Sequence, residues 1–295
     1  MKKFLVSLSL IALAVNAHAD GGKEGSLFKD AKNFAEKIKD EGAKHPYPLK
    51  VPFHLITLTA SEVIAIPAGV GIVAEEEAKM AWQATKATGQ CMTDSHKAGK
   101  LGEFTGCVVT YGGNLVGIAI STVGFSGIEL VNGVFRLTAE GLYVIENMLK
   151  DTTEYFNAHN MPFLAGTAHV LQVVWHYGAI VPVQVVGGTI VSVLTDGTVS
   201  LVGAVRNFGQ AGAEALKGNG KAAAETLGVA VGFGGCAVVD TLTAPLRGIV
   251  ALVNAVKPGD SQYPWTSCTY NAIVSQATGW RAVPLADPYE VLRSN

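Results

Sequence analysis

Long uncharged tracts alternate with short polar ones along this chain, and the longest covers residues 155–195, forty-one positions without an Asp, Glu, Lys or Arg. His159, His169, Gln172, His176 and Gln184 punctuate it, Pro162 and Pro182 interrupt it, and Gly187 and Gly188 loosen its last third. Such a stretch is too apolar for an ordinary water-facing segment and too broken for a clean bilayer span. It reads as a broken helical pair, residues 162–180 and 182–194, that contacts lipid or neighbouring subunits. Phe163, Leu164, Val170, Leu171, Val174 and Trp175 are its candidate contact residues.

A second charge-free run, residues 104–128, is studded with Gly106, Gly112, Gly113, Gly117, Gly124 and Gly127. Each glycine costs a helix roughly 1 kcal/mol relative to Ala, so the run suits a helix whose backbone must approach another closely. Gly113 with Gly117, and Gly228 with Gly232, have the small-xxx-small spacing that permits such packing. Leu115 and Ile118 on this run join the candidate lipid or subunit contacts. A third apolar region, residues 229–256, is relieved by Asp240 and Arg247 and bent at Pro245.

The remaining pattern predicts amphipathic helices over residues 26–41, ending at Gly42, and over 131–156. Pro46, Pro48 and Pro52 predict an extended linker. Residues 55–73 are apolar apart from Glu62 and Pro67 and pass into a charged helix, while 94–100 read as a loop. Residues 208–227 predict a helix-turn-helix through Gly218, Asn219 and Gly220. Against this helical trend, residues 189–194 and 198–205 are β-branched and flank Asp196-Gly197, the pattern of a two-residue hairpin. The fold class is therefore mainly α, a bundle of amphipathic and apolar Gly-rich helices with room for one short β-hairpin. An outer-membrane β-barrel would need many such alternating segments, and one is present.

Residues 1–19 have the parts of a secretory signal: Lys2 and Lys3, an apolar run, and Ala17-His18-Ala19 before Asp20. This divides the chain into a signal at 1–19, a helical membrane-associated domain at 20–259 and an extended C-terminal tail at 260–295 packed on that domain. Export makes disulfides the expectation for Cys91, Cys107, Cys236 and Cys268. Three connectivities are open, and chain distance favours Cys91 with Cys107 and Cys236 with Cys268. With 49% apolar and 16% charged residues the chain can build a large core, and its net charge of −2 argues against a nucleic-acid partner.

Catalytic chemistry finds no constellation. His169 and His176 would share a helix face, but no carboxylate lies near them in sequence to orient an imidazole, so they read as packed or interfacial. Ser126 between Gly124 and Gly127 misses the nucleophile elbow, and Gly232, Gly234 and Gly235 lack the lysine of a phosphate loop. No metal and no cofactor other than bound lipid is expected.

The signal with Ala17-His18-Ala19, the Gly-studded run 104–128, and residues 235–247 with Asp240, Thr241 and Pro245 resemble the helical, porin-like outer-membrane proteins of predatory bacteria, the PopA-like lipid-trapping superfamily. That resemblance implies an α-helical outer-membrane protein forming a ring-like homo-oligomer whose apolar inner surface encloses lipid. Two other readings compete. A soluble periplasmic binding or structural domain would bury Val170, Val174 and Trp175 within one chain, and a secreted hydrolase would need a nucleophile-base pair.

Overall fold

The computed structural model describes residues 26–44, 50–256 and 267–278. Residues 1–19, with their signal-like pattern, Pro46, Pro48 and most of the tail lie outside the described residues. Among those described, helices occupy nearly everything: α1 (Leu27–Ala43), α2 (Lys50–Lys97), α3 (Leu101–Ala158), α4 (Pro162–Trp175), a π turn (His176–Ile180), α5 (Val181–Leu216), α6 (Gly220–Leu242), α7 (Ala244–Val256) and α8 (Cys268–Thr278). The chain forms two compact units that divide between Glu75 and Glu76.

In the first unit, the amphipathic pattern of α1 buries Phe28 and Ala35. Gly71 on α2 makes room for the Phe28 ring, because a Cβ there would lie 2.2 Å from its Cδ1. The Ser26 hydroxyl donates to Glu75 Oε2 at 2.5 Å, tying the start of α1 to α2. Pro52 falls in the first turn of α2 rather than in a linker, a place where the missing N–H would have no helical partner anyway. Pro67 lies inside the same helix, which runs on through it.

The second unit is organised by one antiparallel pairing, α3 against α5. Gly102 approaches the Leu216 carbonyl, Gly106 that of Ala213, Gly113 the Cα of Gly209, Gly117 the Arg206 side chain and Gly124 that of Thr198. A Cβ on Gly113 would sit 3.0 Å from Gly209 Cα, and the reverse distance is the same. Gly102, Gly113 and Gly124 recur every eleven residues, as do Gly106 and Gly117, and eleven residues close about three helical turns. The glycines therefore form one stripe along which the two backbones meet. Further along, the Phe135 ring of α3 fills the space over Gly187. Helix α6 turns back along α5 with the Phe233 ring over Gly203, and α7 continues in the same direction with Ala251 against Val181 and Val185.

Several sequence expectations change here. Residues 104–128 and 131–156 belong to one 58-residue helix, α3. Residues 189–205 form no hairpin: they lie within α5, and no strand occurs among the described residues. The helix deficit of Val, Ile and Thr is only some tenths of a kcal/mol per residue, Thr195 returns its hydroxyl to the Val191 carbonyl at 2.8 Å, and Asp196 is engaged by Arg247 rather than by a turn. The break anticipated before Pro182 is a π turn that passes straight into α5. Residues 94–97 finish α2, and only 98–100 form the connection. Within the tail, residues 268–278 are helical rather than extended.

The connections close where residues adopt positive φ, at Gly99 (67°), Asn160 (55°) and Gly218 (81°), as helix C-termini commonly do. The cysteines pair as Cys91–Cys107, joining α2 to α3, and Cys236–Cys268, joining α6 to α8. Gly228 and Gly232 differ from Gly113 and Gly117: a Cβ at either meets nothing within 4 Å, so the close packing expected of them is not made among the described residues.

The glycine stripe generates a prediction. Gly113→Leu forces two backbones apart and should lower stability by about 1–3 kcal/mol or more, whereas Gly232→Leu, pointing into open space, should leave the thermal midpoint unchanged or raise it. Circular dichroism melts of the two variants in detergent read the difference.

Candidate membrane-facing surface and its buried polar network

Among the described residues, four helices are long and apolar enough to cross a membrane, over Val51–Lys97, Leu101–Ala158, Pro162–Leu216 and Gly220–Leu242. No more than 39% of the most apolar window of any of them is buried within the chain. At 1.5 Å per residue α3 is about 87 Å long against a hydrocarbon thickness of about 30 Å, so a bilayer would cover only part of it.

Helix α4 is the barest element. Only Ala165 and Ala168 are buried on it. Phe163 is 83% exposed, Val170 60% and Val174 62%, and Leu164 and Leu171 are exposed beside them. A charge-free helix open on so much of its circumference needs an apolar neighbour on several sides. Leu115 on α3 is exposed too, near Val116 and Val123. Two of the sequence-assigned contact residues differ. Ile118 is buried at 8% exposure, which removes it from any outer contact. Trp175 is half-buried, and its indole N–H donates to the Leu142 carbonyl at 3.0 Å.

Two polar groups of the charge-free stretch reach across to α3. His176 Nδ1 meets Glu146 Oε1 at 3.0 Å, and Gln184 Nε2 donates to the Tyr143 hydroxyl at 2.7 Å. Both groups lie beyond α4, on the π turn and α5, while His169 on α4 itself is exposed. Glu146 lies thirty positions before His176, so reading neighbours in sequence missed it. Its signal was its place on the polar side of the amphipathic helix that precedes the charge-free stretch.

A second network is buried where α5, α6, α7 and α8 meet. Arg247 of α7 is 1% exposed; its Nη1 donates to Asp196 Oδ2 at 2.5 Å and Ser192 Oγ at 2.9 Å, and its Nη2 to Asp240 Oδ1 at 2.6 Å. Ser192 and Asp196 are one turn apart on α5, so both face the guanidinium. Two carboxylates around one planar cation give directional, charge-assisted bonds. Sequence reading took Asp240 and Arg247 as polar relief and Asp196 as a turn residue. The clue was available in Asp196 itself, the single acid that ends the charge-free stretch.

Elsewhere Glu77 is buried and accepts from the Ser121 hydroxyl on α3. Among the described residues no group of three or more His, Cys, Asp or Glu is placed to hold a metal ion. No family model, curated protein or solved structure matches the chain.

Removing one partner of a buried ion pair leaves its charge uncompensated and costs about 3–5 kcal/mol. Arg247→Met should therefore destabilise the protein by that order in chemical denaturation, while Lys221→Met, whose side chain is 92% exposed, should change it by under about 0.5 kcal/mol.

Proposed function

We propose that this chain is a membrane-associated, non-enzymatic helical protein of the outer membrane, which assembles as a homo-oligomer and places its uncharged helix faces against lipid and neighbouring copies. The observation that carries this reading is α4: Phe163, Val170, Leu171 and Val174 stand open on a helix without charge, backed only by a narrow alanine seam. A soluble domain would bury Val170 and Val174 within one chain, and both are exposed. The inward turning of His176 and Gln184 supports the same reading, because it removes polar groups from the face offered to lipid. The His176–Glu146 pair serves as a tie between α3 and the π turn, and catalysis is not assigned to it. The signal-like start and the resemblance to the PopA-like superfamily support export to the outer membrane and a porin-like assembly enclosing lipid.

Vesicle flotation tests the reading. Each carboxylate placed in hydrocarbon costs about 2.5–3.5 kcal/mol, so Phe163→Glu with Val174→Glu should weaken vesicle partitioning at least a hundredfold while helicity, read by circular dichroism, stays constant. Recovery of the unaltered protein as a lipid-free monomer from the soluble fraction would sink the proposal.

A further inference from the structure

The short helix α8 is held on α6 at two points one turn apart. Cys236 is bonded to Cys268, and Asp240, four residues on, receives the start of α8. Asp240 Oδ1 accepts the Cys268 N–H at 2.8 Å, while Oδ2 accepts the Thr269 N–H at 2.8 Å and the Thr269 hydroxyl at 2.5 Å. Ser267 caps the same helix, its Oγ accepting the Tyr270 N–H at 3.0 Å. Ser200 of α5 approaches the Thr269 hydroxyl at 2.5 Å. Ser267, Thr269, Ser200 and Asp240 are each at most 1% exposed.

Three of the donors on Asp240 thus come from α8, and the fourth is Arg247. With α8 absent, Asp240 and Asp196 would share the one guanidinium, with the other acceptor positions of Asp240 unfilled. An eleven-residue helix does not persist in isolation, so α8 depends on being delivered to Asp240. The disulfide closes a sequence separation of 32 residues and supplies that delivery.

We propose that Cys236–Cys268 is an oxidation-dependent latch: closing it docks α8, and docking completes the buried network around Asp240 and Arg247. A dithiol opens the latch by transferring two electrons and two protons to the S–S bond, giving two cysteine thiols while the dithiol becomes its own disulfide, and an exchangeable disulfide closes it by the reverse exchange, taking up the two electrons and two protons as it becomes a dithiol. In a reducing compartment α8 stays undocked and the α5–α6–α7 junction lacks its cover; in an oxidising one the junction is sealed. The proposal is independent of what α4 contacts.

Hydrogen exchange of the full-length protein in detergent, with and without dithiothreitol, tests it. Amides at residues 268–273 should exchange on the order of a hundredfold faster after reduction, the scale of a lost disulfide tether, while those at 131–150, away from both disulfides, keep their protection. Cys236→Ser with Cys268→Ser should reproduce the effect without reductant, and Cys91→Ser with Cys107→Ser should leave α8 protected. Unchanged protection of α8 in the reduced protein and in the Cys236/Cys268 double variant would overturn the latch. So would an equal loss of protection across α3 and α5 in the Cys236/Cys268 double variant without reductant, which would make that disulfide a staple of the whole unit.

Discussion

The close approach of α3 to α5 is the constraint on which the second unit depends. Gly113 and Gly209 let the two backbones meet, and Gly102, Gly106, Gly117 and Gly124 continue the contact past carbonyls and side chains. Without charges along residues 104–128 and 155–195, ion pairs contribute little to holding these helices together. Dispersion over a dense interface has to do it, and dispersion falls off steeply with separation. The helix-propensity penalty of so many glycines is the condition for that density. Helices α6 and α7 then use another face of α5, through Gly203 under Phe233 and the small cluster of Val181, Val185 and Ala251.

Polar chemistry has a complementary place. Buried groups are paired between helices distant in sequence: His176 with Glu146, Gln184 with Tyr143, Arg247 with Asp196 and Asp240. Each of these pairs is made inside the second unit, while Gln184 Oε1 stays buried without a partner among the described residues. Alongside an apolar interior, many large hydrophobic side chains stand exposed, among them Val123, Phe163 and Leu242.

Much of the helical content was legible in the sequence, because the clearest period in α1 and α3 is helical and because Gly99, Gly218 and the 98–100 and 217–219 connections lie in polar surroundings. The glycine stripe was half legible: Gly113 and Gly117 were marked by their spacing, yet the same spacing at Gly228 and Gly232 meets open space, since a local motif does not say which face has a neighbour. The hairpin expectation at Asp196-Gly197 failed for a similar reason. Alternating β-branched residues carry only a weak backbone preference, which packing against α3 and the pull of Arg247 on Asp196 override. Ile118 looked like its exposed neighbour Leu115, and only its burial in the folded chain separates them. Long-range partners such as Glu146 for His176 leave no trace in local pattern at all.

The eleven-residue recurrence of the α3 glycines has a further consequence. A stripe that repeats is nearly superimposable on itself, so sliding α5 along α3 by one repeat, about 16 Å, would again bring a backbone against glycine. Packing alone would then tolerate more than one alignment of the hairpin. The cross-helix polar contacts do not repeat with that period: Glu146 has one His176 to meet and Tyr143 one Gln184, and a slide would strand all four in an apolar seam. They act as keys that select a single register, a role in which a few buried polar pairs specify what many interchangeable small residues cannot.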